Sequence, residues 1–172
     1  MKNFFKFAGI TIALLAVGSG AFAQITASAS AEATIVTPLT ITKTVDLNFG
    51  NVATTNATGT VVLSTASART STGGATPVAN PTGTVTAASF SITGMPAAQV
   101  FVTLPATVTV THITLPANTM VVNTFVCSPV SGFIIPVGGS QTLTVGATLN
   151  TGASQTPGIY RNLNFNVTVN YQ

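Results

Sequence analysis

Charge is what this chain has least of. Only 4% of its 172 residues are Asp, Glu, Lys or Arg, against about 25% in an ordinary soluble domain. Coiled coils, helical bundles and acidic disordered tails all draw on abundant charge, so those classes are excluded. Tryptophan is absent, and there are one Cys, one His and two acidic residues. Acid–base and metal chemistry have almost nothing to work with. Serine is plentiful, but a hydrolytic triad also needs a base and an orienting acid. The only base is His112, which reads as one position on a strand between Thr111 and Ile113, and no Gly-x-Ser-x-Gly elbow is present. Glycoside hydrolysis takes two carboxylates about 5–10 Å apart. Here Glu32 lies in the N-terminal segment and Asp46 just before Leu47-Asn48-Phe49-Gly50. None of the short ligand spacings of a zinc site occurs, and no Gly-rich phosphate loop joins a strand to a helix. The expectation is a non-enzymatic protein with no catalytic residue, cofactor or metal.

Long apolar runs are scarce too, with one exception at the start. Lys2 and Lys6 precede an apolar stretch from Phe7 to Gly20, and Ala21-Phe22-Ala23 has the small-x-small form of a cleavage site. The run is shorter than the about 20 residues of a spanning helix. Residues 1–23 are therefore expected to be a signal peptide cut between Ala23 and Gln24, with the protein exported and no transmembrane segment in the mature chain. Cleavage removes much of the basicity, leaving Lys43, Arg69 and Arg161 against Glu32 and Asp46. Nucleic-acid binding relies on clustered cations, so no nucleic-acid partner is expected. Cys127 has no partner within the chain and ends an apolar run, which fits a core or half-buried thiol.

What fills the chain is Val, Ile, Thr and Phe, broken at short intervals by Gly, Pro, Asn and Ser, the composition of pleated strands and turns. Candidate strands are Ile25–Val36, Leu39–Thr42, Val45–Phe49, Gly59–Ser64, Val85–Thr93, Gln99–Leu104, Val108–Leu115, Met120–Val126, Gln141–Leu149 and Ile159–Tyr171. About eight to ten short strands make one β-sandwich domain, placed over residues 37–172. Thr65–Thr84 reads as a long exposed loop because its composition is Ser/Thr/Gly/Pro-rich. Thr-x-Thr triplets such as Thr107/Thr109/Thr111 recur at irregular spacing. A β-solenoid would need a fixed repeat, so they read as the solvent face of ordinary strands.

Two segments alternate cleanly. Leu163, Phe165, Val167, Val169 and Tyr171 share one face of the last strand, with Asn162, Asn164, Asn166, Thr168 and Asn170 on the other. Near the N-terminus, Ile25, Ala27, Ala29, Ala31, Ala33 and Ile35 alternate with Thr26, Ser28, Ser30, Glu32 and Thr34, giving residues 24–36 a small-residue apolar face.

Pro38, Leu39, Ile41, Leu47, Phe49 and Gly50, together with Gly158, Tyr160, Val167, Val169 and Tyr171, carry a family resemblance. This "pLxI…LxFG" start and "GxY…hxVxVxY" end resemble the secreted bacterial family known as domain of unknown function 4402. The same signatures resemble the pilin subunits of chaperone–usher fimbriae and the spore-coat-protein-U group. That resemblance implies an immunoglobulin-like antiparallel β-sandwich short of its final strand, which a periplasmic chaperone and then the N-terminal extension of the next subunit supply. It implies as partners other copies or related subunits, the chaperone and an outer-membrane usher, and a location in the periplasm in transit and then at the cell surface. Residues 24–36 would be the donor strand, with Ile25, Ala27, Ala29, Ala31, Ala33 and Ile35 facing the acceptor. The alternative is a self-contained secreted sandwich, with Ile25–Val36 as its own edge strand, binding a glycan or envelope component through loops such as Thr65–Thr84.

Overall fold

The computed structural model describes residues 24–162 and 164–172; residues 1–23, where a signal peptide cut after Ala23 is expected, and Leu163 lie outside the described residues. The chain divides into two units, one ending at Thr34 and one running from Ile35 to Gln172. In the first, residues 24–34 form no strand and are exposed. The strand expected over Ile25–Val36 is therefore not formed within this chain. Four alanines bury little apolar area, too little to offset the entropy of ordering the backbone.

The second unit is all-β, with no helix among the described residues. Its strands are β1 (Thr40–Val45), β2 (Asn48–Phe49), β3 (Val52–Leu63), β4 (Arg69–Pro77), β5 (Val85–Thr86), β6 (Ala88–Thr93) and β7 (Gln99–Thr103). They continue as β8 (Thr107–His112), β9 (Thr119–Ser128), β10 (Phe133–Ile134), β11 (Ser140–Thr151), β12 (Tyr160–Arg161) and β13 (Thr168–Tyr171). Antiparallel pairing gives one large sheet in the order β1-β6-β11-β9-β8-β12, a three-stranded sheet β10-β7-β13, and a small β2-β5 pair. Strand β11 organises the large sheet. Its first half pairs with β6, its second half with β3, and β9 lies along the opposite edge. The two sheets form a sandwich-like arrangement.

The core has two parts. Around Ala88, Phe90, Ile92, Leu143 and Val145 the three-stranded sheet closes over the large one, with Val102, Phe133 and Val169 packed inward. Around Val61, Ala75, Val122, Ala147 and Leu149 the packed neighbours come from the large sheet itself and from Leu47 and Phe49. Half of the inner face is thus covered by a second sheet and half by little more than two side chains.

Two strand expectations need correction. The segment Thr65–Thr84 is not one loop, because residues 69–77 form β4 on β3. The Ser64 hydroxyl takes the amides of Ala66 and Ala68 and so turns the hairpin, and the Thr60 and Thr72 hydroxyls pair across it at 2.7 Å. A low-complexity stretch of Thr and Ser is still β-competent when a partner strand is at hand. The last strand is interrupted between β12 and β13. There the Asn162 side chain accepts the Asn164 amide at 2.8 Å and donates to Thr109 O at 2.8 Å, drawing the backbone out of the ladder. The alternation survives, with Phe165, Val167, Val169 and Tyr171 half-buried and Asn164, Asn166, Thr168 and Asn170 exposed.

Candidate functional site: an open groove over the large sheet

Where the second sheet fails to cover the core, an open groove of about 1450 Å³ remains. Its floor is the inner face of the large sheet, with Val108, Val110, Met120, Val122 and Leu149. One wall carries Ile41, Val45, Leu47 and Phe49, and the other Phe165 and Val167. Phe165 anchors its wall against Phe125, 5.5 Å between ring centroids, and edge-on to Phe90 at 6.4 Å. Among the described residues β1 pairs with β6 alone and β13 with β7 alone. Each therefore has one edge without a strand partner. The two come together at one end, where the Tyr171 hydroxyl accepts the Met95 amide at 2.6 Å and donates to Thr37 O at 2.9 Å.

The first wall is held from behind. Arg69 of β4 donates through Nη1 to Phe49 O at 2.8 Å and Asn51 O at 3.0 Å, and through Nη2 to Val78 O at 3.1 Å. Gly50 sits at φ +69°, where a Cβ would meet Thr82 O at 2.6 Å and Arg69 Nη1 at 2.9 Å. Only glycine fits that corner. An exposed ion pair joins Lys43 Nζ to Asp46 Oδ1 at 2.6 Å.

The second wall turns on His112, whose side chain is 5% exposed. Its Nδ1 lies 3.2 Å from the Thr114 amide and 3.1 Å from the Leu115 amide, and its Nε2 is 3.1 Å from Pro157 O. The Tyr160 ring stands edge-on to the imidazole, 4.9 Å away, and the Tyr160 hydroxyl donates to Thr156 O at 2.7 Å. Gly158 has φ +149°, and a Cβ there would land on the imidazole. His112 is therefore no ordinary strand position.

The structure brings the motif residues together. Leu47, Phe49 and Gly50 belong to one wall, Gly158, Tyr160 and Val167 to the other, and Val169 and Tyr171 to the strand that continues it. Gln24, Ile25, Ala27, Ala29, Ala31 and Ala33 lie in the exposed N-terminal segment, and Ile35, just beyond it, is 97% exposed. Sequence reasoning missed Arg69 and His112. Cys127 sits half-buried on β9 opposite Val145. Burial pushes its thiol up, outweighing the main-chain hydrogen bond at Ser131 that lowers it. No group of three or more His, Cys, Asp or Glu able to hold a metal occurs among the described residues, and no described helix is long and apolar enough to cross a membrane.

Compared with known families, residues 39–171 match the family model described as Domain of unknown function (DUF4402). No curated protein and no solved structure matches the chain.

Proposed function

From a chain that belongs to the DUF4402 family and carries this groove, we propose a non-enzymatic, exported structural subunit of a surface fibre or adhesive layer, assembling by β-strand addition. One observation supports this above all: an open groove with an apolar floor, bordered on one side by β1, whose outer edge has no strand partner among the described residues, and on the other by residues 164–167, which lead into the equally unpaired β13. An extended segment laid there gains main-chain hydrogen bonds from the edges, and its alternate side chains gain apolar contact with the floor. Residues 24–36 of a neighbouring copy are the donor in this reading. Their alternation matches a one-sided groove, and within their own chain residues 24–36 form no strand. A related subunit, a periplasmic chaperone and an outer-membrane usher complete the proposed partners. Export follows from the N-terminal segment as read in the sequence.

The test uses the mature chain in sedimentation velocity and electron microscopy at rising concentration. The wild type should form a ladder of multimers. Ala29→Asp places a charge on the inward face of the donor and should abolish the ladder, whereas Ser30→Asp, one residue on, should leave it. A chain that stays monomeric at every concentration overturns the proposal in favour of a self-contained module that binds a glycan or envelope component.

A further inference from the structure

Each wall of the groove includes a strand of only two residues: the first wall passes from β1 into β2, paired with β5, and the second carries β12, paired with β8. Ladders that short do not hold a backbone in place by themselves. We infer that Arg69 and His112 are positioning residues that clamp the two walls at a fixed separation before anything enters the groove. This rests on the strand-addition reading above.

The chemistry of each clamp is dictated by its partners. The guanidinium carries five N–H donors in a rigid fork. Arg69 spends its reach on three carbonyls, of Phe49, Asn51 and Val78, rather than on a carboxylate. It thereby ties the end of β2 to the β3–β4 hairpin. An ammonium at the same place is a point charge and does not fork. On the other side, amides only donate, so the two facing Nδ1 of His112 require a bare nitrogen there. A carbonyl only accepts, so the proton sits on Nε2, toward Pro157 O. With both nitrogens committed and Tyr160 stacked edge-on, the imidazole joins the end of β8 to the turn that feeds β12. The two motif glycines fit this picture, since Gly50 leaves room for Thr82 O, Val85 and the Arg69 guanidinium, and Gly158 for the His112 ring. Walls fixed in advance leave the incoming strand only its own ordering to offset, which is how preorganisation raises affinity.

The experiment titrates the mature chain into a fluorescein-labelled peptide of residues 24–36 and follows anisotropy. Arg69→Lys and His112→Asn should each weaken capture by about tenfold or more. His112→Gln, which keeps an amide donor for Pro157 O, should recover part of that loss. Ile135→Ala, a buried change outside the groove lining and outside both core clusters that the walls pack on, should lower the melting temperature without weakening capture. Capture by the wild type that is unchanged in Arg69→Lys and His112→Asn overturns the clamps while leaving strand addition standing. No capture by the wild type overturns strand addition itself. A measurement on the unmodified protein stands apart from both and from any variant that fails to fold. Imidazole 15N shifts should show a bare Nδ1 and a protonated Nε2 with no peptide present, and the Thr114 and Leu115 amides should exchange slowly. A proton on Nδ1, or amides that exchange at once, overturns the His112 clamp.

Discussion

Replacing Gly158 with alanine should be among the most damaging single-methyl changes available, and the reason can be divided. The backbone there has φ +149°, a region essentially reserved for glycine, so any side chain costs about 1–3 kcal/mol in strain. The new Cβ would also fall on the His112 imidazole. Displacing the ring loses its hydrogen bond to Pro157 O, worth about 1 kcal/mol, and the Tyr160 contact at 4.9 Å, worth about 0.5–1.5 kcal/mol. Gly158→Ala should therefore cost roughly 3–4 kcal/mol. The strain belongs to the backbone and the rest belongs to the ring, so a double-mutant cycle separates them. In a His112→Ala background, Gly158→Ala should cost only the strain, leaving a coupling energy of about 2 kcal/mol. The assay is urea unfolding followed by tyrosine fluorescence, which the absence of Trp leaves uncontaminated. Additive effects within about 0.5 kcal/mol would refute the argument that the imidazole is what excludes a side chain at Gly158.

On the last strand, Val167→Asp should destabilise by about 2 kcal/mol or more, because a carboxylate would enter the half-buried face. Thr168→Asp, on the exposed face, should stay within about 0.5 kcal/mol, and equal damage in urea unfolding would refute the alternation. Burial holds the Cys127 thiol above its ordinary value, so less thiolate is present at pH 8 than in the unfolded chain. Iodoacetamide should accordingly alkylate the folded protein more slowly than the protein in urea, with the gap closing as pH rises. The same sign makes this group favour the fold below the unfolded thiol's titration and lose that contribution as pH climbs through the raised value.

The sequence disclosed what depends on side-chain pattern and little of what depends on who sits opposite. Val/Thr alternation sufficed for an all-β chain, and the alternating burial of residues 164–171 follows the expected faces. Pattern does not encode pairing. Asn162 reads as one more polar position on a strand, yet its carboxamide captures the Asn164 amide and breaks the ladder. Thr70, Ser71 and Thr72 look like loop until β3 lies beside them. Phe133 and Ile134, only two residues long as a strand, give no periodic signal at all. The same limit hid the clamps. Leu47, Phe49, Gly158 and Tyr160 were visible as motifs, whereas Arg69 and His112 bond mainly to backbone groups 45 residues away or fewer. Every residue carries a carbonyl and nearly every one an amide, so such partners leave no mark in the sequence.

Scarcity of charge and the presence of a groove bear on each other. Proteins commonly protect free strand edges with lysine, proline or bulges. Along β13 there is no charged residue, and on β1 the single cation, Lys43, is taken up by Asp46 at 2.6 Å. Edges this bare would invite any extended chain if they lay flat. Here β1 borders a recess whose floor is apolar, and the segment leading into β13 borders it with Asn164 and Asn166 exposed and Phe165 and Val167 half-buried. A strand that pairs with these edges must therefore also present apolar side chains at every second position, or bury polar groups against valine and methionine at a cost of about 1–3 kcal/mol each. Selection by that alternation requires walls that hold still. A groove free to widen would accept a strand in any register, so the discrimination that charge does not supply has to come from the rigidity of residues 49–51 and 157–161, the two places where Arg69 and His112 act.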